Sequence, residues 1–221
     1  MSIRSKKDLE VELSKLKGFT TPSFELEQYQ TPSSIAAEWI WNMALRGEVA
    51  GKTILDAACG PGIIGLGLLL MGAKKIYFLD KDPTIITICQ QNYKTLEQEY
   101  EIGQAEFITI DISLFDETVD IIVQNPPFCT TTAHTDKKFL EKAFQFTNII
   151  YSMHKYSTQS FIKAITKDHN FTITHLWRYE FPIKATFKHH TKPVEYIDVG
   201  LWRLEKIIYP ESKKSFISTN I

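Results

Sequence analysis

Cysteine is scarce in this chain. Its 221 residues include three, Cys59, Cys89 and Cys129, and no two stand at CxxC spacing. That excludes a disulfide framework and a structural zinc centre of the chain's own, so no metal is expected and a reduced, cytoplasmic setting fits. Long apolar runs are missing as well. The longest, counting glycine, is Ile63–Ala73, short of the ~20 residues that cross a bilayer, so no membrane association is expected. MSIRSKKDLE carries charge with no apolar stretch behind it, which argues against a secretory leader. A strong charge of one sign is absent too. The 25 Lys/Arg and 26 Asp/Glu leave a net charge of −1, which excludes a uniformly basic nucleic-acid coat. The 43% hydrophobic and 23% charged fractions are ordinary for a soluble globular chain. The length predicts one domain with small additions.

The charge is unevenly spread. Residues 1–150 hold 14 Lys/Arg against 20 Asp/Glu, whereas residues 151–221 hold 11 against 6 and five of the six histidines. This reads equally as a face for an anionic partner or as ordinary surface scatter.

Hydrophobic periodicity alternates between two kinds. Residues 5–17 predict an amphipathic helix on Leu9, Leu13 and Leu16, capped by Ser5 and ended by Gly18. A Pro-containing extended stretch follows, then a helix over 33–46. Strands are expected at TILDA (53–57), KIYFLD (75–80), 105–111, VDIIVQ (119–124) and 149–153. Helices are expected over 63–71, from Pro83 to about Glu99, and over 136–148 and 158–168. Two longer strands close the series, 171–181 and 194–204. Strands alternating with helices predict an α/β, Rossmann-like, doubly wound and mostly parallel sheet, with an antiparallel pair at one edge. The organisation expected is a helix and lid over 1–32, a main domain over 33–209 and a loose tail over 210–221.

The first chemical signal is ILDAACGPGIIG. It sets Gly60-x-Gly62-x-x-Gly65 between a strand and a helix. Glycines there let a ligand approach backbone N–H groups at a helix start. Asp80 ends the next strand, where it can accept hydrogen bonds from ribose hydroxyls. Both a nicotinamide dinucleotide and S-adenosylmethionine would place a ribose there. Asp56 separates the two. A carboxylate at that strand end suits an ammonium and a sulfonium and repels a pyrophosphate. Asp111 ends the third strand and can accept from an adenine amino group. Three acids at three strand ends favour a cationic adenosine ligand.

The second signal is Asn125-Pro126-Pro127-Phe128, directly after the fourth strand. Two prolines remove two donors and stiffen the turn. The Asn125 amide oxygen and the Pro126 carbonyl are then free to accept both hydrogens of a conjugated amino group. That draws its nitrogen towards sp3 and localises its lone pair, while Phe128 stacks on the planar base. Catalysis by such a turn is positioning plus electrostatics.

DAACGPG, Asp80 and NPPF together resemble class I S-adenosylmethionine-dependent methyltransferases acting on planar amino groups. A larger part of the chain, about residues 7–205, resembles the methyltransferase-like enzymes that make N6-methyladenosine in small-subunit ribosomal RNA. LEQYQT (Leu26–Thr31), YSMHK (Tyr151–Lys155) and WRYEFP (Trp177–Pro182) carry this resemblance. It implies a lid of Gln28, Tyr29 and Thr31. Asp56, Gly60, Gly62, Asp80, Asp111, Ile112 and Asn125 would surround S-adenosylmethionine, and Asn125–Phe128 would hold the target adenine. The implied sheet order is 3-2-1-4-5-7-6. It also implies a small zinc-binding activator subunit paired along a sheet edge. The chain departs from the family pattern at Ala58 and Cys129, each standing where glycine is usual.

The third signal is IKATFKHHTK. A loop with Lys184, Phe187, Lys188, His189 and His190 and no acid can grip RNA phosphates and stack a base. Lys155 ends the fifth strand near the same mouth. His154 reads as structural or as a lone base, and Trp177, Tyr179 and Phe181 as core or edge packing. Alternative functions are a protein glutamine-N5 or RNA guanine-N2 methyltransferase, a non-catalytic RNA-binding scaffold, and an NAD-type oxidoreductase. The edge position of the third strand, and the apolar surplus of Ile85, Ile86, Ile88, Cys89 and Tyr93 on the helix before it, mark the surface expected to dock the activator.

Overall fold

A computed structural model describes residues 2–20, 28–128, 135–184 and 194–208. In chain order the elements are α1 (Lys6–Ser14), α2 (Ser33–Leu45), β1 (Thr53–Ala57), α3 (Ile63–Leu70), β2 (Lys75–Asp80), α4 (Pro83–Glu97) and β3 (Gln104–Thr109). Then come β4 (Ile121–Gln124), α5 (Thr135–Phe146), β5 (Ile149–Lys155), α6 (Gln159–Asp168), β6 (Phe171–Lys184) and β7 (Val194–Lys206). The strands form one sheet in the order β3-β2-β1-β4-β5-β7-β6. The first five are parallel to one another, and β7 runs antiparallel to both neighbours. This is the Rossmann-like class I methyltransferase fold the sequence pointed to.

The sheet is buried on both faces, so its central strands are continuous apolar runs. One face packs Ile54, Phe78, Val123 and Met153 under α1, α2 and α3. The other packs Leu55, Leu79, Ile122 and Ile150 under α5 and α6. Caps follow the sequence: the Ser5 hydroxyl accepts from the Asp8 N–H at α1, and Asp82 accepts from the Thr84 N–H at α4, ahead of Pro83.

Most boundaries shift from expectation by one or two residues, among them β4, which starts at Ile121, and β5, which runs on to Lys155; three have a clear physical reason. α1 stops at Ser14, well before Gly18, because Lys15 closes it by returning its N–H to Glu12 and Leu13 carbonyls. β3 stops at Thr109. Asp111 does not end the strand; its side chain accepts the Ser113 N–H at 2.9 Å and starts a 3₁₀ turn over Ile112–Leu114. β6 runs on through Pro182 to Lys184. Proline is tolerated there because β6 is an outer strand with only β7 to satisfy.

The apolar surplus on α4 also has a different explanation. β3 does form the sheet edge. Yet Ile85, Ile86, Ile88 and Cys89 are buried within this chain, none above 7% exposed. α4 is covered on two sides: by β2 and β3, and by the segment after α1 that reaches Asn92. Those four residues therefore offer no docking face, while Tyr93 is half-buried with its ring edge-on to Phe107. Among the described residues, no helix is long and apolar enough to cross a membrane.

Candidate active site

The parallel strands end along one rim of the sheet, and the strand order reverses between β1 and β4. Open α/β sheets bind ligands in the crevice outside such a reversal. A cavity of about 390 Å³ opens there, within the range of small-molecule sites.

Its floor is the β1–α3 turn. The chain takes left-handed values at Ala58 (φ 58°), Gly60 (φ 55°) and Gly62 (φ 91°). A Cβ on Gly62 would fall 2.4 Å from the Cys89 Sγ, and one on Gly65 would fall 2.3 Å from the Phe78 ring. Gly62 therefore lets α4 seat closely on the turn and Gly65 lets α3 seat closely on β2, and Gly62 does not reach the cavity wall. Ala58 does line the cavity and holds its left-handed conformation without glycine's freedom, a strain of about 1–2 kcal/mol.

The three acids, Asp56, Asp80 and Asp111, sit in three different environments. Asp56 is 2% exposed, and its Oδ2 accepts the Gly65 N–H at 2.8 Å. Burial pushes its carboxyl up to about 7, helped by the charge of Asp80 and opposed by the Gly65 N–H. Among the described residues no lysine or arginine pairs with it. Asp80 accepts the N–H groups of Gly60 at 3.0 Å and Asp82 at 3.1 Å, and burial raises it as well. Asp111 differs. Burial works to raise it, but Lys138 at 2.6 Å and the Ser113 hydroxyl and N–H prevail and hold it down to about 2.

A strap closes one side of the cavity. The Phe19 ring lies against Gly60, 3.1 Å from where a Cβ would stand. Gln28, Tyr29 and Thr31 line the wall. Gln28 Nε2 donates to Asp82 at 2.9 Å, next to Asp80. Thr31 receives the Asn125 Nδ2–H at 2.9 Å. So Thr31 and Asn125, the ends of two motifs, meet in space, 94 residues apart in the chain.

In the NPPF turn, Asn125 and Pro127 line the cavity, together with Ile112 from the 3₁₀ turn. The Asn125 Oδ1 is buried and has no hydrogen-bond partner among the described residues. Pro126 and Phe128 lie outside the wall. Phe128 is buried, its ring meeting Phe181 edge-on at 5.5 Å, so in this structure it belongs to the core. Beneath the turn, Gln124 Nε2 donates to the Ser152 Oγ at 2.9 Å, and Ser152 Oγ lies 2.6 Å from the His154 Nε2. His154 is thus built into the interior. Tyr151 is turned from the crevice; its hydroxyl donates to Glu48 at 2.5 Å. Lys155 is half-buried at the end of β5 and outside the cavity wall. Phe187, Lys188, His189, His190, Cys129 and the Lys184 side chain lie outside the described residues, as does the tail from 209.

The sequence profile of the methyltransferase small domain matches residues 40–149, from α2 to the start of β5. The Drosophila melanogaster rRNA N(6)-adenosine-methyltransferase Mettl5 is 32% identical over 203 residues, covering 89% of this chain and 94% of its own length. The chain belongs to the Mettl5 methyltransferase family. The Caenorhabditis elegans member, metl-5, is 30% identical over 88% of this chain and 95% of its own. A candidate RNA methyltransferase from Pyrococcus horikoshii, of solved structure, superposes with a TM-score of 0.85 at 35% identity, covering 93% of this chain and all of that one.

As a Mettl5-family chain, this protein carries site residues that sequence reasoning missed. Asn92 is buried and makes three hydrogen bonds, to the Lys17 N–H and carbonyl and to the Pro61 carbonyl, so it clasps the strap's root to the glycine turn. Its signal was available: an amide on the buried stripe Ile85–Ile88–Cys89–Leu96 of α4. Lys138 and Phe139 bring the start of α5 into the wall, and nothing in their spacing marked them.

Proposed function

We propose that this protein transfers a methyl group from S-adenosylmethionine to the exocyclic N6 of an adenosine in small-subunit ribosomal RNA. The observation that carries the reading is the Asn125 amide oxygen. It is a buried acceptor without a donor among the described residues, set at a strand end on the wall of a cavity that also holds two acids whose carboxyls are raised by burial. The acids fit the cofactor. Asp56 is a buried carboxylate in want of a cation, and each Asp80 oxygen keeps a lone pair for a ribose hydroxyl after accepting its backbone N–H. When bound, the cofactor supplies an electrophilic methyl on a sulfonium. The protein's part is to hold the amino group. Asn125 Oδ1 and the Pro126 carbonyl accept its two hydrogens, so the lone pair is freed from the ring. The nitrogen gains the methyl and then releases one proton; the sulfur keeps the electron pair of the broken bond. Phe128 backs the turn from the core, its ring packed edge-on against Phe181, and the stacking role expected of it is not kept. Lys155, Lys184, Phe187, Lys188, His189 and His190 contact RNA. A small zinc-binding activator subunit pairs along the free edge of β3. That edge, not α4, supports its docking, because β3 has a single strand neighbour.

The test is label transfer from S-adenosylmethionine to small-subunit ribosomal RNA, with and without a candidate activator, followed by nucleoside separation. Label is expected in N6-methyladenosine, with a gain in rate when the activator is present. Label in N2-methylguanosine, or in protein glutamine alone, overturns the substrate assignment.

Asp56 predicts a pH signature. Its carboxyl is raised when the protein is free, so its contribution to folding is full below about pH 4 and is lost as pH rises to about 7. A cation needs the ionised form. Cofactor affinity is therefore expected to be about tenfold weaker near pH 6 than near pH 8, since that lies one unit below the folded value. Calorimetry near pH 6 should show proton release on binding, and Asp56→Asn should flatten the profile. A flat profile in the unaltered protein rules out the role given to Asp56.

A further inference from the structure

The torsion that turns an asparagine amide about its own axis is soft, with broad and roughly two-fold minima. Asn125 can present its acceptor in one fixed direction only if something holds that torsion. Its neighbours Pro126 and Pro127 have no N–H to offer. Among the described residues, the group that does hold it is the Thr31 hydroxyl, which takes the Nδ2–H at 2.9 Å and leaves Oδ1 without a partner. Thr31 is 5% exposed and lines the same cavity. It also stands immediately before Pro32, whose carbonyl starts α2 by accepting the Ala36 N–H at 2.9 Å. The following Ile35, Ala36, Ala37 and Trp39 are buried. The hydroxyl is therefore carried on the rigid start of a packed helix, the kind of support that keeps an active-site group in place.

We infer that Thr31 is a positioning residue for the methyl-transfer step: its hydroxyl locks the plane of the Asn125 amide so that Oδ1 faces the incoming amino group. This rests on the adenine-N6 reading and goes beyond a role for Thr31 in covering the cofactor. A covering residue acts on cofactor binding. A positioning residue acts on turnover.

Thr31→Val keeps the shape and removes the hydroxyl, and Thr31→Ser keeps the hydroxyl. Both should be compared with the unaltered protein for cofactor Kd, RNA KM, kcat and melting temperature. Thr31→Val is expected to lower kcat about tenfold or more, with cofactor Kd and RNA KM within about twofold. Thr31→Ser is expected to recover most of kcat. If Thr31→Val does not melt cooperatively, Thr31→Ser against Thr31→Ala decides the same question. Unchanged kcat in Thr31→Val, or a loss confined to cofactor Kd, overturns the inference and leaves Thr31 a wall residue. Failure of the adenine-N6 reading is separate, because it shows in the unaltered protein as label on another acceptor.

Discussion

Asn125→Ala is expected to lower kcat for methyl transfer by about 10²–10³-fold, the loss seen when one preorganised hydrogen-bonding group is removed from a reacting centre. The deleted amide is the group whose buried oxygen has no partner among the described residues. Cofactor affinity should move by no more than a few-fold, because Asp56 and Asp80 sit on other strands. Asn125→Asp is the informative companion. It keeps an acceptor but loses the N–H that Thr31 receives, so its activity should fall between the two. Pre-steady-state label transfer with saturating cofactor measures the effect. Full activity in Asn125→Ala would show that the amino group is held elsewhere.

The largest loss of stability is expected from Arg203→Met. Arg203 comes from β7 and is 5% exposed. It pairs with Glu48 and donates to the Thr174 hydroxyl and to Glu205, both at 2.6 Å. Glu48 also accepts the Tyr151 hydroxyl. Burial works to raise Glu48, but Arg203 and Tyr151 outweigh it and hold the carboxyl below its ordinary value. Its contribution is thus present above the unfolded value and lost as pH falls through the folded one. Removing the arginine leaves a half-buried carboxylate without its hydrogen-bonded cation, which costs about 2–3 kcal/mol, between an exposed pair and a fully buried one. Urea unfolding at neutral pH should show this, and Glu48→Gln in the same chain should return part of it. A loss under about 1 kcal/mol, the worth of an exposed pair, contradicts the burial argument. None of Arg203, Thr174 and Glu205 lines the cavity, so cofactor binding should survive.

The fold was legible because period and punctuation agreed. TILDA and KIYFLD are strands with the predicted limits, and Pro83 does begin α4. The strand-end acids were legible for the same reason: a parallel sheet delivers Asp56 and Asp80 to one rim whatever the side-chain details. What failed depended on side chains folding back on their own backbone. Asp111 reads as the last residue of an apolar strand, but its carboxylate captured the Ser113 N–H and ended the strand two residues early. The surplus on α4 reads as an interface until one knows that the chain after α1 lies across it. Periodicity reports that a face is covered and says nothing of what covers it. The meeting of Thr31 and Asn125 was beyond reach in a single sequence, since no local pattern links them.

The Asn92 clasp has a consequence for chain entropy. It joins residues 75 apart. Closing a loop of that length costs roughly 4 kcal/mol by the logarithmic length dependence. Three neutral hydrogen bonds return only about 1 kcal/mol each, net. One amide therefore does not bring Lys17 to the glycine turn unaided. Most of the closure is made by α1, whose Leu9 and Leu13 are buried in the core shared with α2 and α3. Once those side chains are in, Lys17 is already close, and the amide need only restrict the last few residues. The wall of the cavity is thus held shut at long range by two leucines that never touch it.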